Sequence, residues 1–299
     1  MTAQRGRRRC LVAAAAWMAG ATTSPLRAEP VAASAMAATS DAVRRQLRFT
    51  VSLRNPLAEE LRDQRVWFYV PAGETPTQRL VDLKVSMDHE LLSDPLGHRI
   101  VKLQLPRLGA LSEKRVTVLA EVALQPEPAA SPLLERAAWL GAERHVEVDD
   151  PRIRSQAAQL RREHDRDTAH AIYDWVRTQL HYAGYIADDL GALYALTERR
   201  GDCTEYAYLA VALARANGIP ARMVGGFVAE RSIAPRAEEY HNWAEVHVDG
   251  AWRLLDAQKE HWLAPAQQYI AFRFCSDREL NPIGRAHRFR VDGGMQVRL

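Results

Sequence analysis

Arg200-Gly201-Asp202-Cys203-Thr204-Glu205-Tyr206-Ala207-Tyr208-Leu209-Ala210-Val211-Ala212-Leu213-Ala214-Arg215-Ala216-Asn217-Gly218-Ile219-Pro220 is the stretch on which the reading of this chain turns. Gly201-Asp202 signals a turn and an N-cap, the Ala- and Leu-rich run is a strong helix former, and Asn217-Gly218 closes it ahead of Pro220. The run is apolar enough to predict a buried helix, with Cys203 in its first turn. There the unpaired backbone N–H groups and the positive end of the helix dipole favour a thiolate. Taken alone, Cys203 is equally well read as a buried structural cysteine.

The residues downstream change that balance. Ala221 to Val228 reads as a strand, and it is followed by Tyr240-His241-Asn242-Trp243-Ala244-Glu245-Val246-His247-Val248-Asp249-Gly250-Ala251-Trp252-Arg253-Leu254-Leu255-Asp256. Asp249-Gly250 between two alternating runs is a hairpin signal. Antiparallel pairing then brings the start of one strand, His241, to the end of its partner, Asp256. Cysteine, histidine and aspartate in this arrangement supply a nucleophile, a base and a group to orient the base, as a thiol acyl-transfer site requires. His247 shares a sheet face with His241 but lies far along the strand, and Asp249 sits in the turn.

Upstream, Asp167 to Arg177 carries helical periodicity with Ile172, Trp175 and Val176 on one face, and Asp167 can cap it. Gln125-Pro126-Glu127-Pro128-Ala129-Ala130-Ser131-Pro132 is polar and proline-rich, as a linker should be. Before it, five short strand-like runs over 46–53, 66–70, 80–85, 100–105 and 115–122, several of them alternating and separated by turn residues, predict a small β-sandwich. His89 and His98 are expected to be solvated loop residues there.

The first 28 residues hold Arg5, Arg7, Arg8, Arg9 and Arg27, no acidic residue and the apolar run Cys10 to Ala19, followed by small residues. That is the pattern of an export signal, too short to span a bilayer comfortably, with Arg7-Arg8-Arg9 raising a twin-arginine route. The mature protein is expected to be periplasmic or secreted, with no stable membrane span after cleavage. The leader also accounts for the basic balance: without its five arginines the 40 basic side chains fall to 35, against 37 acidic ones. Nothing therefore points to a nucleic-acid partner. At 299 residues, 47% hydrophobic and 26% charged, the chain is neither disordered, collagen-like nor a disulfide-stapled miniature.

Gly201-Asp202-Cys203, Gly218-Ile219-Pro220-Ala221-Arg222 with Gly225-Gly226-Phe227, the His241-x-Trp243-x-Glu245 pattern and Asp256 together resemble the transglutaminase-like superfamily of papain-type fold. Ala171 to Val176 and Tyr182 are similar to the lead-in helix of its bacterial members. The resemblance spans roughly residues 165 to 260. Joined to the segments read above, it implies an α+β chain: a signal peptide at 1–28, a tether at 29–43, a β-sandwich at 44–125, a linker at 126–150 and a catalytic domain at 151–299, in which the helix bearing the cysteine packs on an antiparallel sheet.

It further implies a Cys203 nucleophile, a His241 base and acid, an orienting Asp256 and a thioester intermediate. The Cys203 N–H is expected as one oxyanion donor and Tyr182 as a candidate second, unless it is a packed structural tyrosine. Trp243 is expected to shield the ion pair from water, and Glu245 to be a supporting residue. Members commonly place a small hydroxyl residue after the aspartate, whereas here Ala257-Gln258 follows, so the hydrogen bonding around the acid is open. The reaction expected is hydrolysis of a peptide or isopeptide bond in a peptide or protein substrate. Transamidation to an amine acceptor, or a non-catalytic binding or assembly module on the same fold, are the alternatives. No histidine has companion ligands at metal-binding spacing, and no cofactor is expected. Cys275 is the other cysteine beyond the leader, and a Cys203–Cys275 bridge is the reading that would remove the nucleophile.

Overall fold

A computed structural model describes residues 42–133 and 135–299; the expected leader and most of the tether lie outside that range. The N-terminal half is built from β1 (Val43–Arg54), β2 (Leu61–Val70), β3 (Gln78–Val85), β4 (Glu90–Ser93), β5 (Arg99–Leu108) and β6 (Glu113–Leu124). In β1 the alternation of the sequence is the alternation of burial: Leu47, Val51 and Leu53 face inward while Arg48 and Arg54 face out. Short β4 is the strand that the patterning missed. Strand β5 also runs on through Pro106, where an end was expected. The ladder pairs Leu105 with Gln64 and Arg107 with Arg62, leaving no partner opposite the proline, which has no N–H to give.

The second half runs through α1 (Pro151–Leu160), α2 (Asp165–Gln179), β7 (His181–Tyr182), α3 (Ala192–Glu198), β8 (Arg200–Gly201), α4 (Cys203–Ala216), β9 (Ala221–Val228), β10 (His241–Val248), β11 (Ala251–Asp256), β12 (His261–Trp262), β13 (Tyr269–Phe274), β14 (Phe289–Asp292) and β15 (Gln296–Arg298). Helix α4 is central: every residue from Thr204 to Arg215 is buried, between the other three helices and the antiparallel sheet β12-β11-β10-β9-β13. Each fully buried leucine or valine along it, such as Leu209, Val211 and Leu213, contributes on the order of 1.5–3 kcal/mol. It ends as the sequence predicts. Gly218 has φ +81°, its N–H reaches the Arg215 carbonyl at 2.9 Å, and the Ile219 N–H reaches the Ala214 carbonyl at 3.0 Å. That is a Schellman closure.

The C-terminal residues do not stay with this half. Strand β14 pairs with β2 and β15 with β1, completing two four-stranded antiparallel sheets, β15-β1-β6-β3 and β14-β2-β5-β4. The second domain, expected to run to residue 299, thus gives its last strands to the sandwich. The linker segment is also laid against the second half, where the Ser131 N–H meets the Gly250 carbonyl and the Ser131 carbonyl meets His247.

The two halves share a core. Leu47, Trp67, Tyr69, Ile100, Val122 and Leu124 of the sandwich pack against Phe227, Ile270, Phe272 and Ile283. Polar groups seal the contact. The buried Gln78 amide donates to the Ala271 carbonyl at 3.0 Å and accepts the Ala271 N–H at 2.8 Å. His98, expected in solvent, is buried instead, with Nδ1 on Asp94 at 2.6 Å and Nε2 accepting the Phe274 N–H at 2.7 Å. A histidine in a polar loop carries no local mark of a partner 176 residues away.

Candidate functional site

The site begins with three residues whose types are fixed by the entry into α4. Gly201 lies where a Cβ would collide with the Glu205 side chain, so that Glu205 can fold back over the helix start. Asp202 is the N-cap: its carboxylate accepts the Thr204 N–H at 2.7 Å, while the Asp202 N–H is taken by Glu205 at 3.1 Å, completing a capping box. The Asp-x-x-Glu spacing could have been read from the sequence. These carboxylates also pin the preceding loop, Asp202 holding the Ile186 N–H at 2.9 Å and Glu205 the Leu190 N–H at 3.0 Å. Burial without a cation raises the Glu205 carboxyl to about 7.

Cys203 is the first residue of the helix proper; the capping box engages the Asp202 and Thr204 N–H groups and, among the described residues, leaves that of Cys203 free. Its thiol lies against β10, accepting the Asn242 backbone N–H, while the Asn242 side chain donates to the Thr204 hydroxyl at 3.0 Å. The sequence led us to expect a thiol lowered by the helix terminus. In the folded chain burial dominates and pushes it up to about 11; the Asn242 N–H and Thr204 pull it down, while Asp202 and Asp256 push it up. The resting thiol is therefore protonated at neutral pH, and a thiolate requires a base.

The hairpin closes as expected. Val248 pairs with Ala251 across Asp249 and Gly250, whose φ values are +52° and +72°. At its far end His241 Nε2 lies 2.6 Å from Asp256 Oδ2, both side chains buried. The other ring nitrogen, Nδ1, makes no hydrogen bond among the described residues and is the one left to serve a thiol. Across the ladder His241 faces Gly226, where a Cβ would run into the Ile270 carbonyl and the Trp243 ring.

Asp256 is held by four donors. Its Oδ1 accepts the Gln258 and Lys259 N–H groups at 3.2 and 3.0 Å, and its Oδ2 accepts the Tyr269 hydroxyl at 2.7 Å as well as His241. Burial opposes ionisation, but His241, the Lys259 N–H and Tyr269 outweigh it, and the carboxyl sits below its ordinary value. The hydroxyl that Ala257 lacks is thus not needed. Tyr269 was missed by sequence reasoning, since nothing local ties the first residue of β13 to the last of β11 when β9 and β10 lie between them in the sheet.

Tyr182 is exposed, not packed; it pairs in β7 with Gly201 and lies near enough to Cys203 and Asp202 for both to add to the effect of burial in raising its phenol. Trp243 is buried, stacked with the His241 ring at 6.3 Å between centroids and edge-on to Tyr269 at 5.0 Å. Glu245 binds the Arg222 guanidinium at 2.6 and 2.8 Å, and the buried Arg222 is sandwiched between Trp252 and Phe274, so Glu245 is engaged in a structural ion pair. His247 is occupied by the Ser131 carbonyl and Asp249 by Arg166. Cys203 and Cys275 are both free thiols. Among the described residues no group of three or more His, Cys, Asp or Glu is placed to hold a metal ion, and no helix is long and apolar enough to cross a membrane.

Residues 154–257 match the profile of the transglutaminase-like superfamily. They form a transglutaminase-like core. The matched segment begins in α1 and ends one residue after Asp256, so it contains α4 and the whole hairpin. Among solved structures, a candidate cysteine protease from Cytophaga hutchinsonii superposes with TM-score 0.62 at 21% identity, covering 87% of this chain and 89% of its own. It shares the fold of sandwich and transglutaminase-like core together. The periplasmic domain of TgpA from Pseudomonas aeruginosa matches with TM-score 0.40 at 16% identity, over 70% of this chain and 86% of that one. No curated protein matches at a significant level.

Proposed function

We propose that this protein is a thiol-dependent amide hydrolase acting on a peptide or isopeptide bond, with Cys203 as nucleophile, His241 as base and acid, and Asp256 as the group that orients the imidazole. The reading is carried by one observation: a cysteine at the open N-terminus of α4 whose sulfur rests on β10, beside a buried His241–Asp256 pair at 2.6 Å. His241 Nδ1 takes the thiol proton as sulfur attacks the carbonyl carbon, and Asp256 stabilises the imidazolium that forms. The free Cys203 N–H is one donor to the oxyanion, with Tyr182 as a second. The C–N bond then breaks, and the leaving amine carries off the proton from His241. Water attacks the thioester with His241 again as base, the S–C bond breaks, the proton passes from His241 to the Cys203 sulfur, and the acid product leaves. The Arg-led apolar run of residues 1–28 supports export, which places the substrate outside the cytoplasm.

The test is intact-mass spectrometry after brief exposure to an electrophilic thiol probe, followed by incubation with peptide pools with and without a primary amine. A single adduct on Cys203, lost in His241→Ala, together with cleaved peptides is the expected result. Peptides extended by the amine would shift the reading to transamidation. A protein that neither labels nor turns over would leave the fold as a binding module.

A further inference from the structure

We propose that Tyr269, held from behind by His261, is a positioning residue that fixes the Asp256 carboxylate and competes with His241 for its Oδ2. The inference rests on the catalytic reading of Cys203, His241 and Asp256 and adds two residues to it. The four groups form a chain: His261 Nδ1 to the Tyr269 oxygen at 2.7 Å, the Tyr269 oxygen to Asp256 Oδ2 at 2.7 Å, and Asp256 Oδ2 to His241 Nε2 at 2.6 Å. The direction of each bond follows from proton counting. An ionised carboxylate only accepts, so the single phenolic hydrogen points to Asp256 and His241 presents Nε2–H. The phenol oxygen can then only accept from the other side, which makes His261 a donor at Nδ1.

A carboxylate has about four lone-pair sites, and here all are used: two by backbone N–H groups on Oδ1, two by side chains on Oδ2. The side chain cannot rotate without breaking two bonds, so the oxygen facing His241 stays in place. Charge shared with Tyr269 is also not available to the imidazolium, so the phenol weakens Asp256 as a partner for charged His241 while holding it still. The phenol cannot drift, because Tyr269 is buried and edge-packed on Trp243, and His261 sits directly across the β11–β12 ladder from Asp256. Tyr173 from α2 and Cys203 from α4 also act on this pair, and both, raised by burial, are uncharged at neutral pH. Among the described residues the tyrosine is the one side chain besides His241 that hydrogen-bonds to this carboxylate.

The experiment measures the rate of Cys203 alkylation by iodoacetamide from about pH 5 to about pH 9, the range in which a histidine titrates, in the otherwise unaltered protein and in Tyr269→Phe, His261→Ala and His261→Asn, with His241→Ala as reference. Tyr269→Phe leaves Oδ2 to His241 alone, stabilises the imidazolium, and moves the low-pH limb of the profile up by roughly half a unit to one unit. It also lowers the plateau rate about three- to tenfold, as a looser base would. His261→Ala moves the limb in the same direction by less, and His261→Asn, whose amide N–H occupies the place of Nδ1–H, restores it. A merely structural tyrosine would change the melting temperature and leave the limb where it was; that result in Tyr269→Phe overturns the inference while the catalytic reading stands. If Tyr269→Phe does not fold, the half-buried His261 pair of variants decides alone, an unmoved limb in His261→Ala counting against the proposal. Alkylation of the unaltered protein that is indifferent to His241→Ala would remove the catalytic reading, and this one with it.

Discussion

His98 and Phe274 join the two halves of the molecule: the Phe274 backbone N–H points into the His98 ring at 2.7 Å, and the same ring is fixed on its other side by Asp94 at 2.6 Å. A sandwich that merely decorated the core would need no buried histidine at this place. The sandwich reaches the strand that carries Tyr269 through this ring and through Gln78, and so bears indirectly on the candidate site.

From this follows the first expectation. His98→Ala leaves a buried N–H and one lone pair of Asp94 without partners and costs about 2–4 kcal/mol. Urea unfolding followed by tryptophan fluorescence and by circular dichroism should give one shared transition in the unaltered protein, displaced to lower urea in the variant. Two separate transitions in the unaltered protein would show that the halves unfold independently.

Asp202 is both helix cap and loop anchor. Asp202→Ala should cost roughly 2–3 kcal/mol, a lost cap plus the orphaned Ile186 N–H. Limited proteolysis should cut first within 183–190. Asp202→Asn, which keeps an acceptor but removes the charge that raises the Cys203 thiol, should lower the midpoint of thiol alkylation when measured in a His241→Ala background.

Glu205 gives stability a slope with pH. Its carboxyl is raised by burial from an ordinary 4.5 to about 7, so within that window the folded chain keeps a proton that the unfolded chain has released. Stability from this group falls as pH rises from about 4.5 to about 7. Glu205→Gln should flatten that part of a melting-temperature profile while costing about 1 kcal/mol for the acceptor it loses.

Gly226→Ala should be among the most damaging single changes. The added methyl meets the Ile270 main chain, which cannot yield as a flexible side chain would. A loss of more than about 3 kcal/mol is expected, read as insoluble expression or a melting temperature depressed beyond that of His98→Ala.

In the candidate triad, Cys203→Ser should abolish alkylation at residue 203 with little change in melting temperature. Asp256→Asn should reduce turnover by about 10²–10⁴-fold, since an amide can hold the ring in the wrong tautomer. Because the Asp256 carboxyl is held below its ordinary value, its contribution to stability is present above about pH 4 and is lost as pH falls further. Asp256→Asn should lessen the acid sensitivity of unfolding.

The local features of this protein were set by short-range rules. Gly201-Asp202 starts α4, Asn217-Gly218 stops it, and Asp249-Gly250 turns the hairpin, so the meeting of His241 with Asp256 followed from counting residues back and forward from one turn. Alternation likewise marked strands such as β1, which buries one face only, while the continuous apolar run of β2 is buried on both. What the sequence could not carry was whatever depends on distant surroundings. Burial is the largest influence on the resting Cys203 thiol and raises it. Tyr269 reaches Asp256 past two intervening strands, His98 finds Phe274 across the seam between the halves, and residues 289–298 return to the sandwich that the chain left at residue 124. Those outcomes belong to tertiary structure because desolvation and long-range hydrogen bonds depend on which surfaces the folded chain brings together, and no local pattern of residues encodes that.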